Sequence, residues 1–255
     1  GAGGAFAGAS RAAGLAGIVT DRVGKRFVRR LGVMWPSARG AVVAHDTQSA
    51  GAGITTVLSA VAVGEFNKSQ RREILGETIR AVNDGRSRDL LRADHHLHLR
   101  CEIAAPYVVD MLEEYIDSPL VQLVSLMDHT PGQRQWRDMA KYREYSRLES
   151  QTAEEFDCIL QERLEQQDKF AVIHGRWIVR MGDTRHIRKA SHDDTTVDHV
   201  REAIEDGVAI SEFPCSVDAA QHARDNGLSI IMGAPNVVRG GSHSGNVSAL
   251  ALAAE

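Results

Sequence analysis

The sequence predicts an α/β fold built as an incomplete, TIM-barrel-like (β/α) barrel with about seven of the usual eight strands. Three observations predict it. Apolar strand-like runs alternate with helical stretches, and no hairpin turn joins two strands; that order builds parallel strands through crossovers. Seven runs qualify as strands. Asp21, Glu102, Asp128, His129, His192, Asp193, Asp194, Glu212, Asn236 and Arg239 all fall at or just past the C-terminal ends of those runs. In such barrels that end is the catalytic face.

Taken in order, residues 1–13 are mostly Ala and Gly and are expected to be poorly ordered. Residues 14–255 make up the barrel. Gly14 to Val19 forms a first short strand, with Thr20-Asp21 at its end and a basic segment through Arg30 behind it. Thr47 to Gly64 is uncharged, but Gly, Thr and Ser break it, so it reads as a loop and a buried strand from Gly53 to Leu58. Lys68 to Asp84 carries Ile74, Leu75, Ile79 and Val82 at helical spacing, closed by Gly85. His95 to Glu102 alternates, which places His96, His98, Arg100 and Glu102 on one face and Leu97, Leu99 and Cys101 on the other. His95 then lies opposite His96 and His98, so the three do not share a metal.

Ala105 to Asp117 is an amphipathic helix, and Leu120 to Met127 is an apolar strand ending in Asp128-His129. Residues 136–170 are long, charged and helical, and read as an inserted excursion. His186 to Ser191 is a weak strand before His192-Asp-Asp194. Val197 to Asp206 is a helix, Val208 to Phe213 a strand, and Ser216 caps a helix running to Asn226. Leu228 to Met232 is the last strand. After it, Met232 to Asn246 holds four glycines together with Asn236, Arg239 and His243, a composition suited to cradling phosphates with backbone amides.

The 255 residues are 43% hydrophobic and 25% charged, as in ordinary globular proteins. The net charge of −4 provides no basic surface for nucleic acid. No segment reads as a membrane span or signal peptide. Cys101, Cys158 and Cys215 are too few and scattered for a disulfide framework, which favours the cytoplasm.

His and carboxylate clusters at three strand ends suit zinc or manganese. Asp193 or Asp194 is positioned to hold a water as general base. The competing role for that pair is capping the helix that begins near Val197.

Several stretches resemble one family. They are Gly32-Val-Met-Trp-Pro36, Gly53-Ile-Thr-Thr-Val-Leu58, Leu97-His-Leu-Arg-Cys-Glu102, Leu123-Val-Ser-Leu-Met-Asp-His-Thr-Pro-Gly-Gln-Arg-Gln135, Ala190-Ser-His-Asp-Asp-Thr195, Glu212-Phe-Pro214 and Met232 to Asn246. In order and in sequence they are similar to the alpha-D-ribose 1-methylphosphonate 5-triphosphate diphosphatases of the carbon–phosphorus lyase pathway, within the amidohydrolase superfamily. The resemblance implies a distorted barrel with a divalent metal. It also implies hydrolysis of a small sugar phosphonate triphosphate to the 5-phosphate and pyrophosphate. By position, Asp21, Glu102, His129 and His192 match the metal site. Lys25, Arg134, Asn236, Arg239 and His243 are placed for contact with phosphates.

The family's first-strand His-Thr-Asp is Val19-Thr20-Asp21 here, which predicts weakened metal binding. The family continues into an eighth strand and adds a small β-sandwich built from both termini, neither of which is matched in this sequence. An open barrel exposes two strand edges and predicts homo-oligomeric association. Two other readings are a degenerate relative that binds phosphates without turnover, and an amidohydrolase acting on a small amide or amine.

Overall fold

A computed structural model describes residues 17–21, 37–66, 71–146, 148–242 and 244–254. Seven strands form one sheet in sequence order, β1 (Gly17–Asp21), β2 (Ile54–Val63), β3 (Asp94–Glu102), β4 (Val121–Met127), β5 (Arg188–His192), β6 (Ile210–Glu212) and β7 (Ser229–Ile231). Every neighbouring pair is parallel. Helices occupy the connections: α1 (Ala38–Gly51), α2 (Arg71–Ser87), α3 (Val108–Glu113), α4 (Met139–Tyr145), α5 (Ala153–Thr184), α6 (Val197–Glu205), α7 (Val217–Asp225), α8 (Ala234–Arg239) and α9 (Ala249–Ala254). This is the strand order of a partial (β/α) barrel. Among the described residues no helix is long and apolar enough to cross a membrane.

The alternation in β3 decides what each face does. Leu97, Leu99 and Cys101 join Val61, Val63, Leu75, Val82, Val108, Leu112 and Ile178 in the main apolar core. That core lies between the strands and the helices α2, α3 and α5. The opposite face carries His98, Arg100 and Glu102, all buried and polar. Burial of polar groups requires partners, and these come from β4, β5, β6 and the loop after β4.

Several elements differ from the sequence expectation, each for a local reason. Ala38–Gly51 is helical, so the start of the uncharged stretch from Thr47 ends a helix instead of forming a loop; Ser37 caps it by accepting a hydrogen bond from the Gly40 amide at 3.2 Å. The α2 helix runs through Gly85 to Ser87, because there the glycine makes room: a Cβ would lie 3.0 to 3.2 Å from the Leu91 side chain. Thr152 and Glu155 cap α5 reciprocally, and the helix continues for 32 residues to Thr184. Lys189, an unexpected cation in a buried strand, is held by Asp183 and by the Asp206 carbonyl at 2.6 Å.

A second polar cluster pins α1 to the sheet. The fully buried Asp46 carboxylate accepts from the Arg92 and Ala93 amides at 2.9 to 3.0 Å, and His95 Nε2 lies 3.2 Å away. Ser59 Oγ is 3.4 Å from His95 Nδ1. The order Ser–His–Asp resembles a nucleophile triad, but Ser59, His95 and Asp46 are wholly buried among helix-side packing, so they serve the fold. Burial opposes the Asp46 charge, but those amides and His95 outweigh it and hold the carboxyl below its ordinary range. Asp46→Ala leaves the buried Ala93 amide and the part-buried Arg92 amide unsatisfied and is expected to cost about 2 to 3 kcal/mol, read as a lowered urea midpoint.

Candidate metal centre

A backbone turn after β5 shapes the centre. After β5 the chain reaches Asp193, whose φ of 55° is left-handed, and its amide donates to the Glu212 carbonyl at 2.9 Å. Left-handed geometry is tolerated by Asp better than by most residues. The turn sends the neighbouring carboxylates in different directions.

Asp194 is consumed by the fold: Ser191 Oγ and Ser211 Oγ donate to its Oδ2, the latter at 2.8 Å, and Arg134 Nη1 reaches Oδ1 at 3.1 Å. Asp193 points to the centre instead, with Oδ2 buried and lacking any hydrogen-bond partner. Neither carboxylate caps α6. Thr196 does, accepting from the His199 amide at 3.2 Å.

Around that orphaned oxygen stand two imidazoles. His129 Nε2 is 3.6 Å from Asp193 Oδ2, and His192 Nε2 is 3.5 Å from it. His129, His192 and Asp193 together offer ligand atoms all within 4.8 Å of one another. Each histidine is held from behind by a carboxylate. His129 Nδ1 lies 2.5 Å from Glu102 Oε2, while Glu102 Oε1 accepts the His129 amide at 2.9 Å. His192 Nδ1 lies 3.1 Å from Glu212 Oε2.

In both cases Nδ1–H donates to the carboxylate, which leaves Nε2 unprotonated: that of His129 lies near Asp193, and that of His192 accepts from Arg100. That tautomer is the one a metal requires. The donor set of two imidazoles and a carboxylate fits zinc or manganese. His129 is the more open side, with its side chain 24% exposed, against 4% for His192 and 5% for Asp193.

Burial pushes the Asp193 carboxyl up to about 6, against the pull of His129, Arg100 and Arg134 and with a further push from Glu212. The carboxyl therefore changes charge close to neutral pH.

The expected site residues fall into three groups. His129, His192 and Asp193 converge, while Glu102 stands behind His129 with both oxygens on that residue. Asp128 and Arg134 serve the surrounding fold: Asp128 accepts from Thr130, Gln133 and Gln167, and Arg134 Nη1 also donates to the His192 carbonyl at 3.0 Å. Asp21 ends β1, but nothing of its side chain is described, and Lys25 and His243 lie outside the described residues.

The glycine-rich run is partly helical rather than an open loop. Asn236 and Arg239 sit on α8, which begins with Pro235 and ends at Gly240, φ 73°. Asn236 ties α8 to the following segment through the Val247 carbonyl at 3.1 Å and the Ala249 amide at 2.8 Å. Arg239 is exposed. The run still crosses the C-terminal end of the sheet, where the Val247 amide donates to the Cys215 carbonyl and Arg137 Nη2 donates to Asn246 Oδ1, each at 3.2 Å.

Two residues given no role from sequence belong to the centre. Glu212 is fully buried and also accepts from Ser125 Oγ at 2.6 Å. Arg100 Nη2 donates to His192 Nε2 at 3.1 Å. Their signals were the alternation that put Arg100 on the face of Glu102 and the place of Glu212 at the C-terminal end of a strand.

No family model matches the chain. It is 42% identical, over 242 of its residues, to the alpha-D-ribose 1-methylphosphonate 5-triphosphate diphosphatase of Escherichia coli K12. The match takes in 94% of this chain and 64% of that protein, so the chain spans less than two thirds of its relative's length. Among solved structures, a mandelate racemase/muconate lactonizing enzyme from Roseiflexus aligns with 84% of the chain and 45% of that structure, at 16% identity and a TM-score of 0.41. A candidate sugar phosphate isomerase/epimerase from Anabaena variabilis aligns with 76% of the chain and 66% of that structure, at 12% identity and a TM-score of 0.40.

Proposed function

We infer that the chain belongs to the alpha-D-ribose 1-methylphosphonate 5-triphosphate diphosphatase family, and that its chemistry is metal-assisted hydrolysis of a triphosphate. The observation that carries the reading is the convergence of two carboxylate-backed histidines on an unpartnered buried aspartate. The 42% identity to the Escherichia coli diphosphatase supplies the substrate class, a small sugar phosphonate bearing a 5-triphosphate.

His129, His192 and Asp193 would hold a divalent cation, zinc or manganese. When bound, such an ion lowers the pKa of a water and shields phosphoryl oxygens. The chain's own residues do the rest. Glu102 and Glu212 hold the two imidazoles in the tautomer that keeps Nε2 unprotonated. Asp193 faces the reacting water and takes its proton as the water adds to phosphorus; pyrophosphate leaves and the sugar 5-phosphate stays. Asp194, saturated by Ser191, Ser211 and Arg134, keeps the turn in place so that Asp193 can face inward.

The test is pyrophosphate release from the triphosphate by the full chain, with and without added Mn2+ or Zn2+, across pH. In the metal-free site Asp193 is ionised above about 6 and neutral below it, so proton and cation compete for the carboxylate. Release is therefore expected to require metal, and the metal concentration that gives half-maximal release to rise as pH falls below about 6. Metal-independent release, or a metal requirement that stays constant down to pH 4.5, would remove Asp193 from the cation site.

A further inference from the structure

We propose that Arg100 is the anion-binding group of the centre, and that through it a divalent cation and a phosphoryl group bind cooperatively. The proposal rests on the metal-centre reading above and adds to it a group on the barrel-interior face of β3.

Arg100 is a buried cation, 5% exposed, whose hydrogen bonding is incomplete. A guanidinium carries five N–H donors. Here Nη2 donates to His192 Nε2 at 3.1 Å, a neutral acceptor. The nearest carboxylate oxygen, Glu212 Oε2, is 3.8 Å from Nη1, too far for a hydrogen bond, and it already accepts from Ser125 and His192. Nε is buried with no hydrogen-bond partner. Glu212 and Asp193 balance its charge, but a buried N–H so placed is costly unless something further accepts from it.

The atom Arg100 now holds, the lone pair of His192 Nε2, is the one a metal must take. The two uses exclude each other. Metal binding therefore displaces the guanidinium and leaves it beside a divalent cation, where like charges repel. An anionic oxygen lying between the two relieves both, and a phosphoryl group presents several oxygens in the geometry a guanidinium grips in pairs. Thermodynamic reciprocity then requires the anion to raise metal affinity by the same factor that the metal raises anion affinity.

The experiment is Mn2+ binding to the full chain by equilibrium dialysis near pH 7.5, with and without millimolar inorganic phosphate and with free Mn2+ measured directly. In the unmodified chain phosphate is expected to tighten Mn2+ binding by about 5- to 150-fold. Arg100→Gln, which no longer contributes a charge beside the ion, is expected to bind Mn2+ more tightly without phosphate and to lose the enhancement. Arg100→Lys should keep part of it. Far-ultraviolet circular dichroism confirms that each variant is folded, and Arg100→Lys decides the matter if Arg100→Gln is not. Mn2+ binding unchanged by phosphate overturns the proposal for Arg100 while leaving the metal centre standing. An equal enhancement in Arg100→Gln does the same. No Mn2+ binding under either condition removes the metal centre and this proposal together.

Discussion

Replacing Asp193 with asparagine is expected to remove metal binding and pyrophosphate release while making the metal-free chain more stable at neutral pH. The two effects have one origin. Asp193 Oδ2 is buried without a hydrogen-bond partner, and burial raises its pKa to about 6. An ordinary carboxyl titrates near 4 when unfolded. A folded-state pKa raised in this way contributes stability at low pH that is lost as pH rises through about 6. Above that point the ionised carboxylate costs the metal-free fold up to about 3 kcal/mol.

Asparagine carries no charge and tolerates the left-handed backbone at this position, φ 55°. The gain in the urea midpoint should therefore be large at pH 7.5 and shrink toward pH 4. Metal affinity should fall about 100-fold or more, since even groups one step removed from a metal cost 10- to 100-fold when lost. A variant that is less stable at pH 7.5, or that binds metal as well as the unmodified chain, would show that Asp193 is held for the fold and not for a cation.

Glu212→Ala carries the largest expected cost to the fold. The carboxylate is wholly buried where β3, β4, β5 and β6 meet. It accepts from Ser125 Oγ and His192 Nδ1, and it is the nearest opposite charge to Arg100. Removing it leaves a buried guanidinium uncompensated and two donors unmet, for about 3 to 5 kcal/mol. Glu212→Gln keeps the volume and an acceptor oxygen, so it should cost less. It also weakens the grip on His192 Nδ1–H, and metal affinity should fall about 10- to 100-fold. Denaturant melts and Mn2+ titrations on the two variants separate these contributions. An alanine variant as stable as the unmodified chain would mean that the interior network does not hold the sheet together.

The sequence made the strand order and the faces of β3 legible because both rest on short-period patterns. Alternation alone separated Leu97, Leu99 and Cys101 from His98, Arg100 and Glu102, and it set His95 apart from His96 and His98. His129 and His192 were legible because strand ends concentrate chemistry in this architecture. What stayed hidden depends on tertiary contact. Glu102 reaches His129 across 27 residues, and Glu212 reaches His192 across 20. No local pattern announces either pairing. Asp193 and Asp194 are adjacent and chemically alike; only the left-handed turn at Asp193 and the hydroxyls of Ser191 and Ser211 separate their roles.

The stretch after β7 was misleading for a different reason. Pro235 and the following glycines suggest an open loop, yet proline in the first turn starts a helix well and Gly240 ends it. Asn236 accordingly spends its amide on Val247 and Ala249.

The central claim is that His129, His192 and Asp193 form one divalent-cation site. The most direct measurement is Mn2+ binding to the full chain near pH 7.5, compared with His192→Ala and with Glu205→Ala, a change on α6 outside the candidate metal group. The expected result is saturable binding at a single site, lost in His192→Ala and unchanged in Glu205→Ala. Equal binding by the unmodified chain and His192→Ala would contradict it.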